Sequence, residues 1–397
     1  MKFTIFSAAF VATFGLFAQT STNCVDSKYE FTKIKHLECT PVESQGNSGT
    51  CWCFSSLSYF ESEMMRMGVK NPEILSEMYI VRKAYEEKAD RFIRMDGKIN
   101  FSEGGAFHDI AYVIKRHGIM PKAAYSGFVN GKTEVDHEEL FSVLNSFMQT
   151  ILQQVQKGEG IGTEWKKAYS SILDAYLGPV PADFTVGGKK HTAKSYADFL
   201  GFKMNDYVSV TSFTNDAMYE PCEIAIPDNW AWGDSYNVPL NDMWAVVENA
   251  LNNGYTIAWG ADVSEKGFSY RNGIALVPED ESTIQVQGRD NKNFNNAGAD
   301  KKSNAFLEPV KEVNVTQEMR QEGYDGKVTT DDHGMHIVGM YKDQKGTKYL
   351  LVKNSWGTSN LPQGYLYVSE AYFRLKTINV YLHKDGLPKD LAKKLNL

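Results

Sequence analysis

The stretch Gln45-Gly46-Asn47-Ser48-Gly49-Thr50-Cys51-Trp52-Cys53-Phe54-Ser55 constrains this chain more than any other. A run of helix-compatible residues opens at Cys51 and continues through Met67 to a stop at Gly68, so a helix with Cys51 at its N-terminus is expected. Unpaired backbone N–H groups and aligned peptide dipoles favour negative charge at that end, which lowers the pKa of a thiol and makes it nucleophilic. Gly49 is read as the residue that lets the chain turn tightly into the helix. Gln45, in the preceding loop, is placed to aim a side-chain N–H at an oxygen that becomes negative when a carbonyl is attacked. Taken alone, a cysteine at a helix start is more often a small buried hydrophobe. Its partners decide the matter.

Near the other end, Asp332 to Tyr341 and Tyr349 to Gly357 read as β-rich runs joined by the polar turn Lys342-Asp343-Gln344-Lys345-Gly346. A thiolate needs a base that accepts its proton and later returns it, and imidazole titrates in the useful range. A third group must hold that base in one orientation. The carbonyl oxygen of Asn354 does this without adding charge. His333 and His336 compete for the role of base; three apart on a strand, they face opposite sides, and only one can look into a cleft. Trp356 is the kind of residue that covers an Asn–His hydrogen bond, a job compatible with ordinary core packing, and Trp52 reads as core packing at the mouth of the helix. Cys53, Leu57, Phe60 and Met64 recur at spacings of four, three and four and mark the buried face of the Cys51 helix, so Cys53 is expected to be an inert core thiol. No Cys/His cluster has zinc-like spacing, and neither a metal nor a cofactor is expected.

At these residues the chain resembles the papain superfamily of cysteine peptidases, and within it the bleomycin hydrolase and aminopeptidase C branch. Gly104-Gly105, followed by the helical run Ala111 to Pro121, is similar to the segment whose glycine backbone binds the substrate main chain in that superfamily. Ser171 to Gly178, Phe199 to Tyr207 and Trp259 to Val263 resemble stretches typical of the branch, and the resemblance runs from about Glu43 to about Ala392. It implies Cys51 as nucleophile, Gln45 as oxyanion donor and Asn354 as orienter, acting on peptides through a thioester acyl-enzyme. The family's histidine opens a strand with a small residue six positions later; His333 and Gly339 fit that pattern, and His336 does not. The implied fold is α+β: a helical lobe and a β-rich lobe meeting at a cleft, with a large helical insertion. In that branch a C-terminal arm enters the cleft and meets the substrate's free amine, and the assembly is a ring-shaped hexamer. Here the match persists through Leu391 and ends at Leu397. Either the residues from Lys393 to Leu397 reach the cleft by a shorter route, or another element blocks it, or the enzyme also cuts internally. Aminopeptidase action is the first expectation and endopeptidase action the alternative. A catalytically silent binding protein is the reading from another class, and the complete set Gln45, Cys51, His333 and Asn354 argues against it.

The chain opens with Met1-Lys2-Phe3 and runs apolar through Ala18, which reads as a secretory signal peptide and implies a periplasmic or extracellular protein. Lipid attachment at Cys24 is disfavoured because Ser21-Thr22-Asn23 is polar. No later stretch suits a membrane span, and a formal charge of −7 argues against nucleic acid as a partner. The cysteine count is odd, as a reactive thiol requires, and Cys24, Cys39 and Cys222 leave room for one disulfide of unassigned pairing. Only 26 residues separate Ala18 from Gln45, too few for a folded inhibitory propeptide. Cys51 and His333 are 282 residues apart, so material is inserted between them. Leu140, Val143, Leu144, Phe147, Ile151, Leu152 and Val155 give the first part of it helical periodicity, and a further helical stretch spans about Lys194 to Phe202. Trp244, Val247 and Leu251 mark another helix, followed by a strand from Tyr255. The run from about Gln285 to Asp332, full of Asn, Asp, Lys and Gly, is expected as a surface excursion. The chain thus divides into a leader over 1–18, a helical lobe over 19–136, an inserted helical region over 137–215 and a β-rich lobe over 216–397.

Overall fold

The C-terminal runs rich in Val, Ile, Leu and Tyr form strands because such side chains pack well on a pleated surface. A computed structural model describes residues 20–158, 160–284 and 304–397. The main sheet runs in the order Pro221–Glu223, Asp234–Asn237, Tyr207–Thr211, Thr377–His383, Ile257–Ala261, His333–Lys342, Lys348–Lys353, Tyr365–Ser369, Ile274–Ala275 and Phe268–Ser269. His333–Lys342 is buried along all but its last residue. One edge pairs with Lys348–Lys353; on the other, its first half pairs with Ile257–Ala261 and its second half with Phe31–His36. The N-terminal segment is therefore a structural strand. Phe31 stacks on Tyr367 at 3.8 Å between ring centroids and meets Tyr349 edge-on.

Helices cover both faces of the sheet. On one lie α1 (Cys51–Arg66), α2 (Glu77–Arg94) and α3 (Phe107–His117). Every residue of α1 from Trp52 to Met64 is buried, so the stripe Cys53, Leu57, Phe60 and Met64 is only one of its packed sides. α1 is walled by the sheet and by its neighbouring helices. The apolar pattern beyond His137 folds as two helices, α4 (Glu138–Gln156) and α5 (Glu164–Leu177), and α6 spans Ala193–Leu200. Leu140, Leu144, Met148 and Leu152 of α4 and Leu173 and Leu177 of α5 join the same apolar cluster as α1. On the opposite face, α7 (Leu240–Asn252) packs Trp244, Val247 and Leu251 against Met335, Ile337 and Val352.

Two readings are refined, the surface excursion and one of the three alternatives for the C-terminal residues. Of the run expected as a surface excursion, 285–303 lies outside the described residues, but Gln317–Asp325 is a helix docked by a fully buried arginine. Arg320 donates from Nε to Ser212 O (2.7 Å) and from Nη1 to Arg374 O (3.2 Å), with its guanidinium 4.4 Å from the Phe213 ring centroid. Tyr324, the other buried residue of this helix, stacks on Phe213 at 4.0 Å between ring centroids; the remaining positions are exposed or half-buried, so the run lies at the surface but is docked there. The C-terminal residues also take a different course from the short route to the cleft. Helix Lys389–Lys394 lies on the α7 side of the sheet, and Leu387, Leu391 and Leu395 are buried in the cluster built around α7.

No disulfide links any of the five cysteines. The leader expected over 1–18 lies outside the described residues. Among the described residues no helix is long and apolar enough to cross a membrane.

Candidate active site

The loop before Cys51 is held in shape by its own backbone. Gly46 has φ +56°, and a side chain there would run into the carbonyl of Val135. Asn47 N donates to Val135 O (2.9 Å) and His137 N donates to Asn47 O (3.0 Å), fastening the loop to the strip leading into α4. Gly49 lies in the bend that leads into α1, and a second constraint also keeps it small. Its φ is not positive; a Cβ there would stand 2.9 Å from Glu103 Cβ, and its N–H donates to Glu103 Oε2 (2.8 Å). Thr50 caps α1 without a side-chain hydrogen bond; its carbonyl oxygen accepts from Cys53 N (2.9 Å) and Phe54 N (3.2 Å), so the N–H groups of Cys51 and Trp52 take no oxygen from that residue.

Gln45 is buried, with Oε1 accepting from Ser355 Oγ (2.7 Å) and Nε2 donating to Ser48 O (2.7 Å). An amide nitrogen has two hydrogens, so one remains after the bond to Ser48. Gln45, Cys51, Trp52, Gly104, Gly105 and His333 line one cleft of about 760 Å³. Asn354 stands behind the imidazole: its Oδ1 accepts from His333 Nε2 at 2.7 Å and from Ser355 N at 2.8 Å. With Nε2 as donor, Nδ1 is the basic nitrogen of the neutral ring. The Trp356 ring lies over the imidazole, 4.6 Å between centroids. His336 faces the other way, its Nδ1 2.9 Å from Ser58 Oγ in a small buried pocket with Lys353, Glu61 and Glu77.

Gly334 makes the approach between strand and helix possible. A Cβ on it would stand 2.8 Å from Ser55 Oγ and 3.2 Å from both Trp52 Cα and Phe107 Cε1. Its backbone N–H and that of Trp52 hydrogen-bond the Cys51 sulfur. These donors favour the thiolate, but burial is the larger effect and pushes the thiol up to about 12, aided by the charges of Asp228 and Asp331. Desolvation thus opposes the lowering expected from the helix start alone. Burial also pulls His333 down to about 4, with its bond to Asn354 opposing. Both shifts favour a neutral thiol beside a neutral imidazole at rest.

The floor of the cleft is the loop Ser102 to Ala106. Trp52 donates Nε1–H to Glu103 O (3.0 Å), and its ring fills the space a Cβ on Gly105 would need. Cys53 packs beneath, its sulfur 3.4 Å from Glu77 O. Sequence reasoning missed the acidic character of the walls: Glu103, Glu138, Asp228, Asp331 and Asp332 all line the cleft, and no Lys or Arg does among the described residues. Glu103 and Asp331 stand beside Gly104 and two residues before His333, so position alone hints at them. Asp228 gives no such signal. Its carboxylate lies where a side chain on Gly104 would go, and it accepts from Asn100 Nδ2 (3.0 Å).

The close approach at Gly334 gives a direct test. Gly334→Leu should lower the free energy of urea unfolding by about 1–3 kcal/mol through overpacking against α1. Adding Ser55→Ala, which removes the nearest atom, should recover part of that loss.

The model of the Peptidase C1-like family matches residues 76–292 and 304–397. The chain is 24% identical to aminopeptidase C of Lactobacillus delbrueckii subsp. lactis, covering 96% of this chain and 88% of that protein. It is 22% identical to aminopeptidase C of Listeria monocytogenes, with 89% and 82% covered. The crystal structure of PepW from Lactobacillus rhamnosis HN001 superposes with a TM-score of 0.69 at 18% identity, over 92% of this chain and 84% of that one. With a family match over most of its length, the chain belongs to the Peptidase C1-like family and is a cysteine peptidase.

Proposed function

We propose that this cysteine peptidase works through Cys51, His333, Asn354 and Gln45, and that it is an aminopeptidase. The observation that carries the reading is the buried His333 Nε2–H···Asn354 Oδ1 bond on a ring that opens onto the same cleft as Cys51 and Gln45. The bond fixes the tautomer that leaves Nδ1 basic. His333 takes the Cys51 proton, and the sulfur attacks the scissile carbonyl carbon. Each lone charge is disfavoured by burial, so the thiolate and imidazolium form together, by passage of one proton between them. The carbonyl oxygen gains the displaced electron pair and accepts from the remaining Gln45 Nε2 hydrogen and the Cys51 N–H. When the tetrahedral species collapses, the C–N bond breaks and the imidazolium gives its proton to the leaving amine. A thioester remains. Water, deprotonated by His333, attacks that thioester and returns the thiol.

Two observations favour removal of N-terminal residues. The relatives named above are aminopeptidases, and the cleft's carboxylates suit a substrate's α-ammonium group. Residues 389–397 do not line the cleft, so in this reading an acidic wall does the work that a C-terminal arm does in the resembling branch.

Cys51→Ala should abolish hydrolysis of aminoacyl fluorogenic substrates, and Asn354→Ala should lower kcat by about 10²-fold, the scale of a mispositioned general base. Hydrolysis that survives Cys51→Ala would overturn the assignment. Comparing one peptide with a free and with an acetylated N-terminus tests the second half: the free peptide should be cleaved at least about tenfold faster, equivalent to ~1.4 kcal/mol. Equal rates would make the protein an endopeptidase.

A further inference from the structure

The loop Ser102 to Ala106 has no regular secondary structure, yet it is pinned from below by three side chains. Trp52 holds Glu103 O from α1, and Asp109 of α3 accepts the N–H of Ala106 (2.8 Å). The third is Lys88 of α2. Its Nζ donates to Ser102 O at 2.8 Å and to Gly104 O. Lys88 is 1% exposed and, among the described residues, has no carboxylate oxygen within salt-bridge distance. Burying an ammonium costs several kcal/mol unless its donors are used, and an apolar chain of similar length would fill the space without that cost. The charge is explained by what it holds.

We propose that Lys88 is a positioning residue for substrate: by drawing the Gly104 carbonyl inward it turns the Gly105 N–H out into the cleft, ready to receive a carbonyl of the bound peptide. The reasoning is geometric. In a trans peptide unit C=O and N–H point in opposite directions, so fixing one fixes the other. The unit between Gly104 and Gly105 has no side chain on either residue, and the Asp228 carboxylate and Trp52 ring occupy the places where Cβ atoms would stand. Glycine makes this unit free to rotate, and Lys88 removes that freedom. The inference rests on the reading of the cleft as a peptide site.

The groups facing Lys88 are the carboxylates of Asp228, Asp109 and Glu103 and the Trp230 ring, 5.6 Å away. Burial pulls its pKa down to about 8 while those carboxylates resist. The ammonium is thus fully charged below that pH and lost as pH rises through it, so its grip on Gly104 weakens in the alkaline range.

The test separates KM from kcat. In Lys88→Met, KM for a peptide substrate should rise about tenfold, the equivalent of one hydrogen bond, while kcat changes by less than about threefold and alkylation of Cys51 by iodoacetamide is unchanged. Lys88→Arg should restore KM. Between about pH 7 and about pH 9 KM should climb more steeply in the unaltered enzyme than in Lys88→Arg, where only loss of the substrate's α-ammonium charge contributes. An unmoved KM in Lys88→Met, or hydrolysis and alkylation falling in step, would overturn the proposal. If Lys88→Met does not fold, identical pH profiles of KM in the unaltered enzyme and in Lys88→Arg would overturn it. Failure of the peptidase mechanism is told apart because it removes hydrolysis from the unaltered enzyme altogether.

Discussion

The structure depends on one close approach: the first turn of α1 lying against the start of the strand His333–Lys342. At Gly334 there is no room for a side chain without pressing on Ser55, Trp52 and Phe107. Because the two backbones approach so closely, the sulfur at the helix start and the imidazole at the strand start share one cleft although 282 residues separate them. The sheet fixes the strand on both edges and α2 and α3 fix the helix. Neither partner can retreat without disrupting core packing on both sides of the contact.

Polar groups buried around this contact are arranged in connected sets. On the cleft side, Asn354 bonds His333 and Ser355, and Ser355 in turn bonds Gln45, so the residues proposed as orienter, base and oxyanion donor form one chain of hydrogen bonds. On the other side of the strand, His336 and Lys353 both meet Ser58, and Lys353 reaches Thr40, which bonds Glu61. Such sets rigidify a core to the extent that their members are satisfied; Asn354 Nδ2 and His336 Nε2 are buried without a hydrogen-bond partner among the described residues. The same burial explains the neutral resting state of the thiol and imidazole: the cleft walls that position the pair also remove water from it.

Much of the site was legible because its signals are local. Cys51 opens a helix, Asn354 follows a strand, and strand parity separates His333 from His336 before any coordinates are seen. The nearly complete burial of α1 was not legible, since a stripe at spacings of three and four describes one face and cannot report what covers the others. Gly49 was read for its turn, and Glu103 lying against it also keeps it small. The helix Gln317–Asp325 escaped notice because one of its two buried residues is Arg320, a residue that composition assigns to the surface. Lys88 and Asp228 escaped for a tertiary reason. They lie on segments remote from the Cys51, His333 and Asn354 motifs, and only the fold carries them to the loop at Gly104. At Cys51 the helix end is visible in sequence and the desolvation that opposes it is not.

The proposed chemistry requires the imidazole of residue 333, and not that of residue 336, to face the Cys51 sulfur. A short bis-electrophile, a three-carbon ketone with a leaving group at each end, tests it by bridging thiol to imidazole, with the product mapped by peptide mass spectrometry. The expected product is a cross-link between Cys51 and His333. A cross-link to His336, or single alkylation of Cys51 with no bridge, would contradict it.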